Sequence, residues 1–535
     1  MLSELGAAAP GARELAPCRA IRDFERQLFE SGAATSGELM ERAGAAVVAA
    51  IWAEWPELAP GDSGAPGSAV VICGPGLNGG DGYVIARLLV QRGWTVRVIG
   101  LGDPSALPPE AAAARGRLID AGGTVEDARD PQSAAPGCRV GAAYDLAVDA
   151  VLGSGGRRPI PPGWRATLDS LAEASAHLVC VDGHSALDLD TGWSDCRTPA
   201  ADLTVTFHRA RPGHVLGMGP ALSGRVVVAD IGLNDEWMRA HGPGSAHPLS
   251  LPQLWTRHRH PDRAVLGKSG ARHKYDYGHV LVLSGDPPRA GAARLAARAA
   301  LRTGAGAVTL GVPAGGMASA QAPDALMRRV IDGAADLSDA LDDPRVTALC
   351  LGPGLGQDRA GALVPAALAH PRARQRELSM LVDADALSFA AGDPDGLFAA
   401  ARDSRVVITP HAGEFARIFP ALAPPRPGNL LDRVTSAARW AGVTVLHKGQ
   451  VNIVSDRGDT PALVDARDVP WLATAGAGDV LAGIIAGLLA RGADPADAAG
   501  TGAWLHAAAA RGFGPGLIAD DLPDQLPAVF RELGL

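Results

Sequence analysis

Apolar and polar positions along this chain follow two alternating rhythms. Short runs rich in Val, Ile, Leu and Thr occur at 69–73, 95–100, 145–151, 177–182, 203–207 and 225–232. Between several of them lie alanine-rich stretches of helical period, clearest over Gly82–Arg92 and Trp164–Ala174. Such alternation predicts a mostly parallel sheet covered by helices on both faces, a three-layer α/β unit. The rhythm lapses over 241–263, rich in Pro, Gly and His. It resumes with strand-like runs at 279–285, 307–313, 348–352, 380–385, 405–410, 443–449 and 451–455. The last long element, Gly478–Arg491, is apolar nearly all round, as a buried helix is. No motif recurs at a fixed period, so the two series are read as two α/β domains, 1–245 and 265–535, joined by a linker at 246–264.

Length agrees with that division, since 535 residues exceed the roughly 250–300 at which one core stops growing. Hydrophobic residues at 47% and charged residues at 20% fit a folded soluble chain and exclude disorder. A net charge of −9 without any Lys/Arg-rich run argues against nucleic acid and anionic membrane surfaces as partners. The longest apolar stretch, near Val480–Ala490, falls short of the ~20 residues of a membrane span. Cys18, Cys73, Cys138, Cys180, Cys196 and Cys350 show no CxxC spacing, and the N-terminal residues lack a signal-peptide pattern. A soluble protein of the reducing cytoplasm is expected.

The run at 69–73 leads directly into Gly74-Pro75-Gly76-Leu77-Asn78-Gly79-Gly80-Asp81-Gly82. Gly74, Gly76 and Gly79 satisfy a G-x-G-x-x-G fingerprint, which in a dinucleotide site brings backbone close to a pyrophosphate, with Asp103 as a candidate ribose acceptor. Asp81 and Asn78 argue against a phosphate there, because hard oxygen donors suit a cation or a sugar hydroxyl better. Plain Asn/Asp turn chemistry is the third reading. Asp149 and Asp182 each close an apolar strand, and in open α/β sheets ligands gather at strand carboxyl ends. Asp81, Asp149 and Asp182 are therefore expected to converge on one crevice.

In the second half, Thr474-Ala475-Gly476-Ala477-Gly478-Asp479 enters the buried helix. Glycine-bracketed amides at a helix N-terminus can hold a phosphoryl group, and Asp479 could take the proton of an attacking hydroxyl or merely cap the helix. GPGLG (352–356) and TPHAGEF (409–415) each follow a strand, and HKGQVNIV (447–454) reads as a hairpin. Lys448 is one of only three lysines, with Lys268 and Lys274, in a chain that otherwise uses arginine. A compact ammonium fits against a polyphosphate where a planar guanidinium does not. His411 could contact substrate or buttress a turn.

ELMERAG (38–44), GPGLNGGDGYVIARLL (74–89), DAVLGSG (149–155), DTG (190–192) and TVTFHRARPGH (204–214) together resemble the NAD(P)H-hydrate epimerase family, over about residues 20–235. The resemblance implies a Rossmann-like fold and interconversion of R- and S-NADHX and NADPHX, the forms of NADH and NADPH with water added across a ring double bond. By motif, Asn78, Gly79, Gly80, Asp81, Gly153, Ser154 and Gly155 would line the hydrate site. Asp182 would contact the substrate and act catalytically, and Asn78, Asp149 and Ser185 would hold a potassium ion. The chain departs from the family at Leu77, at Ser154 and at Gly183-His184, where the family has isoleucine and proline. Loss of that proline predicts a freer turn, an effect of about 1 kcal/mol.

GHVLVLSGDPPRAGAARLAARAALRTGAGAVTL (278–310), LVDADAL (381–387) and TAGAGDVLAGIIAGLL (474–489) resemble the ADP/ATP-dependent NAD(P)H-hydrate dehydratases of the ribokinase-like superfamily, over about residues 265–530. By position, Ala292, Gly356, His411 and Asp479 would contact the hydrate. Lys448, Gly449, Gln450, Val451, Asn452 and Gly478 would contact ADP or ATP carrying Mg²⁺, with Asp479 as the catalytic base. Phosphorylation of the ring hydroxyl would convert a poor leaving group into a good one. The two halves together imply a nicotinamide nucleotide repair enzyme; a homo-oligomer is a separate expectation. A small-molecule kinase, an N-terminal scaffold module and a hydride-transfer oxidoreductase are the rival readings.

Overall fold

The computed structural model describes residues 2–4, 14–59, 67–135, 144–156, 159–195, 197–232, 255–256, 263–316, 323–423, 430–457 and 461–535. Contacts divide the chain into two compact units, Met1–Trp255 and Thr256–Leu535. Most of the expected linker 246–264 lies outside the described residues, as do Cys138 and Cys196. Cys18, Cys73, Cys180 and Cys350 are buried free thiols. Among the described residues no helix is long and apolar enough to cross a membrane.

The first unit is an eight-stranded sheet of β1 (Leu2–Glu4), β2 (Ser68–Cys73), β3 (Thr95–Leu101), β4 (Val125–Ala128), β5 (Tyr144–Ala150), β6 (Ser175–Val181), β7 (Leu203–Phe207) and β8 (Arg225–Ala229). Its order is β1-β8-β7-β6-β5-β2-β3-β4, parallel except for β1, which runs antiparallel to β8. β2, β5, β6 and β7 are buried over most of their length, so they read as continuous apolar runs without alternation. Helices Cys18–Glu30, Ser36–Glu54, Leu77–Val90 and Pro109–Asp120 pack on one face, while Pro162–Glu173 covers the other. Ser36–Glu54 starts at a capping box in which Thr35 accepts from the Glu38 amide and Glu38 accepts from the Thr35 amide. The chain leaves β2 towards β3 on one side and returns to β5 on the other. The crevice beyond the ends of β2 and β5 is thus the topological switch point, where ligands of such sheets bind.

The second unit contains β9 (His279–Leu283), β10 (Ala307–Val312), β11 (Met327–Val330), β12 (Val346–Leu351), β13 (Ser379–Val382), β14 (Arg405–Ile408), β15 (Thr444–His447), β16 (Val451–Asp456) and β17 (Ala462–Asp465). They are ordered β11-β10-β9-β12-β13-β14-β15-β16-β17. Pairing is parallel as far as β15, then antiparallel through the β15–β16 hairpin and β17. Its switch point lies between β9 and β12. The helix Ala477–Ala490 is buried along nearly its whole circumference, as its composition predicts. It packs against Ala290–Arg302, and a Cβ added at Gly483 would lie 2.0 Å from the Ala296 carbonyl oxygen. Glycine is required there by the close approach of two backbones.

Candidate active sites

In the first unit the loops after β2 and β5 meet, since a Cβ at Gly74 would fall 1.9 Å from the Val151 carbonyl oxygen. Beside them opens a cavity of about 510 Å³, lined by Glu25, Asn78, Asp81, Ser154, Asp182 and Arg211 among others. Asn78 and Asp81 come from the first turns of Leu77–Val90, and Gly153, Ser154 and Gly155 also face the space. Gly79 and Gly80 are not among the lining residues. A Cβ at either would strike the Gly74 carbonyl oxygen, at 1.9 Å, or the Met40 side chain, at 2.4 Å, so both serve close packing of the loop.

Asp182 is held in the cavity wall by three hydrogen bonds to its side chain. Its Oδ2 accepts from the Ser154 amide at 2.7 Å, and its Oδ1 accepts from the Thr206 hydroxyl at 2.9 Å and Arg211 Nη2 at 3.1 Å. These bonds hold it in a left-handed conformation, φ 64°, that a residue with a side chain seldom adopts. Burial alone pushes its carboxyl up, but Arg211, His214 and the Ser154 and Thr206 bonds outweigh burial and leave it below the usual range. Asp81 goes the other way, raised well above the usual range by burial and then by the negative charges of Asp182 and Glu25. Glu25, on the helix Cys18–Glu30, is pushed up to about 7 by burial, with Arg211 opposing and Asp182 adding to the rise.

Asp149 and Ser185 lie deeper and do not line the cavity. Ser185 donates its hydroxyl to Asp149 Oδ1 at 2.5 Å and its amide to Oδ2 at 2.8 Å, while its Oγ accepts from the Leu152 amide at 2.8 Å. The expected loosening of the Gly183-His184 turn is not what the structure shows. His184 is fully buried, its Nδ1 accepts from the Ala186 amide at 3.1 Å and its Nε2 bonds the Pro199 carbonyl at 2.9 Å. A pinned imidazole ties this turn down in place of a proline ring. The same two bonds remove His184 from any metal set with its neighbours Asp149 and Cys180.

In the second unit the candidate residues gather at the carboxyl ends of β12 to β15. Gly476, at φ 90°, turns the chain into Ala477–Ala490, and Asp479 stands in the first turn of that helix. Its carboxyl is lifted to about 6 by burial and then by Asp383, with Lys448 opposing. Lys448 Nζ bonds Asp383 Oδ1 at 2.7 Å and lies 3.9 Å from Glu414 Oε2. A Cβ on Gly478 would sit 3.6 Å from the same Nζ. The Lys448 amide donates to the Pro410 carbonyl at 2.9 Å, which fixes it beside His411. His411 caps the helix Ala412–Ile418, its Nδ1 accepting from the Gly413 amide at 3.0 Å, so Nε2 carries the proton, 3.5 Å from Glu414 Oε1.

Gly356 donates its amide to Asp385 Oδ2 at 2.8 Å. Ala292 packs against the neighbouring Gly354, whose added Cβ would lie 3.2 Å from it. Gly449 and Gln450 form the tip of the β15–β16 hairpin. Val451 and Asn452 are buried within it, Asn452 accepting from the Gly449 amide at 3.4 Å. Sequence reasoning missed Arg211, Thr206 and Glu25 in the first site and Asp383, Asp385 and Glu414 in the second. The last three lie inside LVDADAL and TPHAGEF, so a search for carboxylates just past strand ends would have found them.

The NAD(P)H-hydrate dehydratase family model matches residues 280–526, and the model for the YjeF-related protein N-terminus matches 36–213. The bifunctional NAD(P)H-hydrate repair enzyme of Moorella thermoacetica is 35% identical over 483 residues, covering 87% of each chain. That of Escherichia coli is 33% identical over 514 residues, covering 94% of this chain and 91% of the relative. Among solved structures, the ADP/ATP-dependent NAD(P)H-hydrate dehydratase of Bacillus subtilis, co-crystallised with ATP/Mg²⁺, is 25% identical. It covers 50% of this chain and 93% of its own, with a TM-score of 0.41. With relatives of this identity aligned along nearly its full length, the chain belongs to the bifunctional NAD(P)H-hydrate repair enzyme family.

Proposed function

We propose that the second unit dehydrates S-NAD(P)HX at the expense of ADP or ATP and that the first interconverts the R and S hydrates to feed it. Asp479 carries the dehydratase reading. It is a carboxyl lifted to about 6, in the first turn of a helix whose leading amides lack intrahelical acceptors. A base with that affinity is mostly ionised at neutral pH yet still takes up a proton, the compromise general-base catalysis favours. It removes the ring hydroxyl's proton while the amides around Gly478 hold the phosphoryl group and Lys448 faces its charge. Phosphate then leaves with the push of the ring nitrogen, and the adjacent ring carbon gives up a proton to the departing phosphate, restoring the dihydronicotinamide. His411 Nε2–H and the Gly356 and Ala292 loops border the space for the hydrate. Asp383, Asp385 and Glu414 offer only oxygen, which fits a Mg²⁺ ion arriving on the nucleotide, where it supplies charge neutralisation. The test is incubation of mixed R and S hydrates with ADP or ATP, following recovery of dihydronicotinamide absorbance; phosphorylated hydrate accumulating instead would indicate a kinase.

In the first unit Asp182 supplies a fixed negative charge beside the hydrated ring, and Asn78, Asp149 and Ser185 would hold potassium. The donor set fits such an ion: it is all oxygen, and Asp149 is a fully buried carboxylate without a cationic side chain among the described residues. Asp149→Asn keeps the size of the side chain while removing the charge and one of the two bonds it accepts from backbone amides. It is expected to raise the potassium concentration needed for half-maximal epimerisation at least about tenfold, one factor of 1.4 kcal/mol. Dehydration of the S hydrate would be unchanged.

We also expect each unit to fold alone. Severing the chain within 241–262 should give two soluble pieces, because each unit has its own series of parallel strands and its own core. The C-terminal piece would dehydrate S hydrate at the parent rate and leave R hydrate to spontaneous epimerisation. Insolubility of both pieces would refute independent folding. The setting for this chemistry is the cytoplasm, where the reduced cofactors are used.

A further inference from the structure

The epimerase cavity holds three carboxyl groups in two different conditions. Asp182 accepts from the Ser154 amide, the Thr206 hydroxyl and Arg211. A carboxylate that accepts three hydrogen bonds, one from an adjacent guanidinium, is a poor proton acceptor. Glu25 and Asp81 line the same space from two different helices, Cys18–Glu30 and Leu77–Val90. Among the described residues neither has a hydrogen-bond donor. The cations near Glu25 are Arg22 and Arg211. Arg211 is committed to Asp182, and Arg22 donates to the Ser154 carbonyl at 2.6 Å. Two unpaired carboxyls in one confined space cannot both ionise cheaply, so near neutrality the pair retains a proton.

We propose that Glu25 and Asp81 are the proton-exchanging pair of the epimerase, with Asp182 as a fixed anion lining the same cavity. This rests on the reading that the cavity is the epimerase site. The hydroxylated ring carbon lies next to the ring nitrogen. Asp81 gives its proton to the hydroxyl oxygen as the carbon–oxygen bond breaks. The nitrogen lone pair forms a carbon–nitrogen double bond, leaving water, an iminium ring and the Asp81 carboxylate. Asp182 stabilises that cation as it develops. Water then bonds to the opposite face of the same carbon, the double-bond pair returns to nitrogen, and the surplus proton passes to Glu25. The ring has inverted at one carbon, and one proton has moved from Asp81 to Glu25. Turnover in the reverse sense, or exchange with solvent, resets the pair. Two acidic groups on separate helices suit a reaction that must serve two faces of one ring.

The test uses the full chain with R-NADHX and no nucleotide, so the dehydratase is silent, and separates the R and S hydrates by chromatography over time. Glu25→Gln is expected to slow interconversion by about 10²–10⁴-fold, the usual weight of an acid–base group. Glu25→Asp should recover part of the rate. With Glu25 raised to about 7, the wild type loses rate as pH falls below neutrality, and the Gln variant lacks that acid limb. The limb is set by Glu25 among Arg22, Arg211, Asp81 and Asp182, the charged groups that face it. A merely structural glutamate would lower the rate without changing the profile. A Gln variant that keeps more than about a tenth of the wild-type rate, or the same acid limb, overturns the role of Glu25. If Asp182→Asn is equally active as well, the cavity is not the epimerase site and the underlying reading falls instead.

Discussion

Asp479→Asn is expected to reduce nucleotide-driven dehydration by about 10²–10⁴-fold and, at neutral pH, to raise the melting temperature of the second unit. The two effects share one cause. Burial and the neighbouring Asp383 make the ionised Asp479 unfavourable, lifting its carboxyl to about 6. A carboxyl raised on folding costs stability wherever it is ionised, so the cost is absent well below pH 6 and present at pH 7. Asparagine keeps the size and the acceptor oxygen, loses the charge and cannot take a proton. The wild type should also lose dehydratase rate as pH falls through about 6, where the base becomes protonated. A melting scan at pH 7 and a rate profile against S hydrate read both signs. Loss of activity with loss of stability would instead mark Asp479 as a structural cap.

Arg211→Met is expected to abolish epimerisation and to destabilise the first unit by about 3–5 kcal/mol, the usual cost of stranding one partner of a buried pair. Arg211 is 2% exposed and bonds Asp182 as well as the Phe207 and Arg209 carbonyls. Methionine fills similar space but leaves Asp182 buried with its charge uncompensated. In the wild type the depressed Asp182 carboxyl contributes stability present at neutral pH and lost only as pH falls through its low folded value. Without Arg211, burial takes over and the sign reverses, so the variant should be relatively less unstable in mild acid. Denaturant unfolding at neutral and mildly acidic pH distinguishes this from a simple loss of packing, which would cost the same at both.

The central strands were legible because buried parallel strands are uniformly apolar, and their ends located Asp81, Asp149 and Asp182. Strands that carry charge were not. Val125–Ala128 reads VEDA and Met327–Val330 reads MRRV, each at a sheet edge with its side chains largely exposed. Arg211 escaped notice because its partner Asp182 ends β6 while Arg211 follows β7, so only the parallel pairing of those strands brings them together. Glu25 was hidden for a similar reason, on a helix far from the glycine loop in sequence. The histidine at 184 misled because a missing proline was read as missing rigidity. Its two ring nitrogens bond backbone groups on either side, which no spacing rule reveals.

The contact between Ala477–Ala490 and Ala290–Arg302 is made largely of glycine and alanine, with Gly483 against Ala296 and Gly487 against Ala300. Alanine and glycine have no rotamers to lose, so joining these helices costs almost no side-chain entropy. The charge falls on the backbone instead, at roughly 0.5–1 kcal/mol for each glycine within a helix relative to alanine. What results is a seam with few alternative packings. The Gly476–Gly478 turn and the Ala292 segment begin the two helices that share it, so their spacing is set by main chain against main chain. Phosphoryl donor and hydrate would thus meet across a distance that side-chain motion cannot blur.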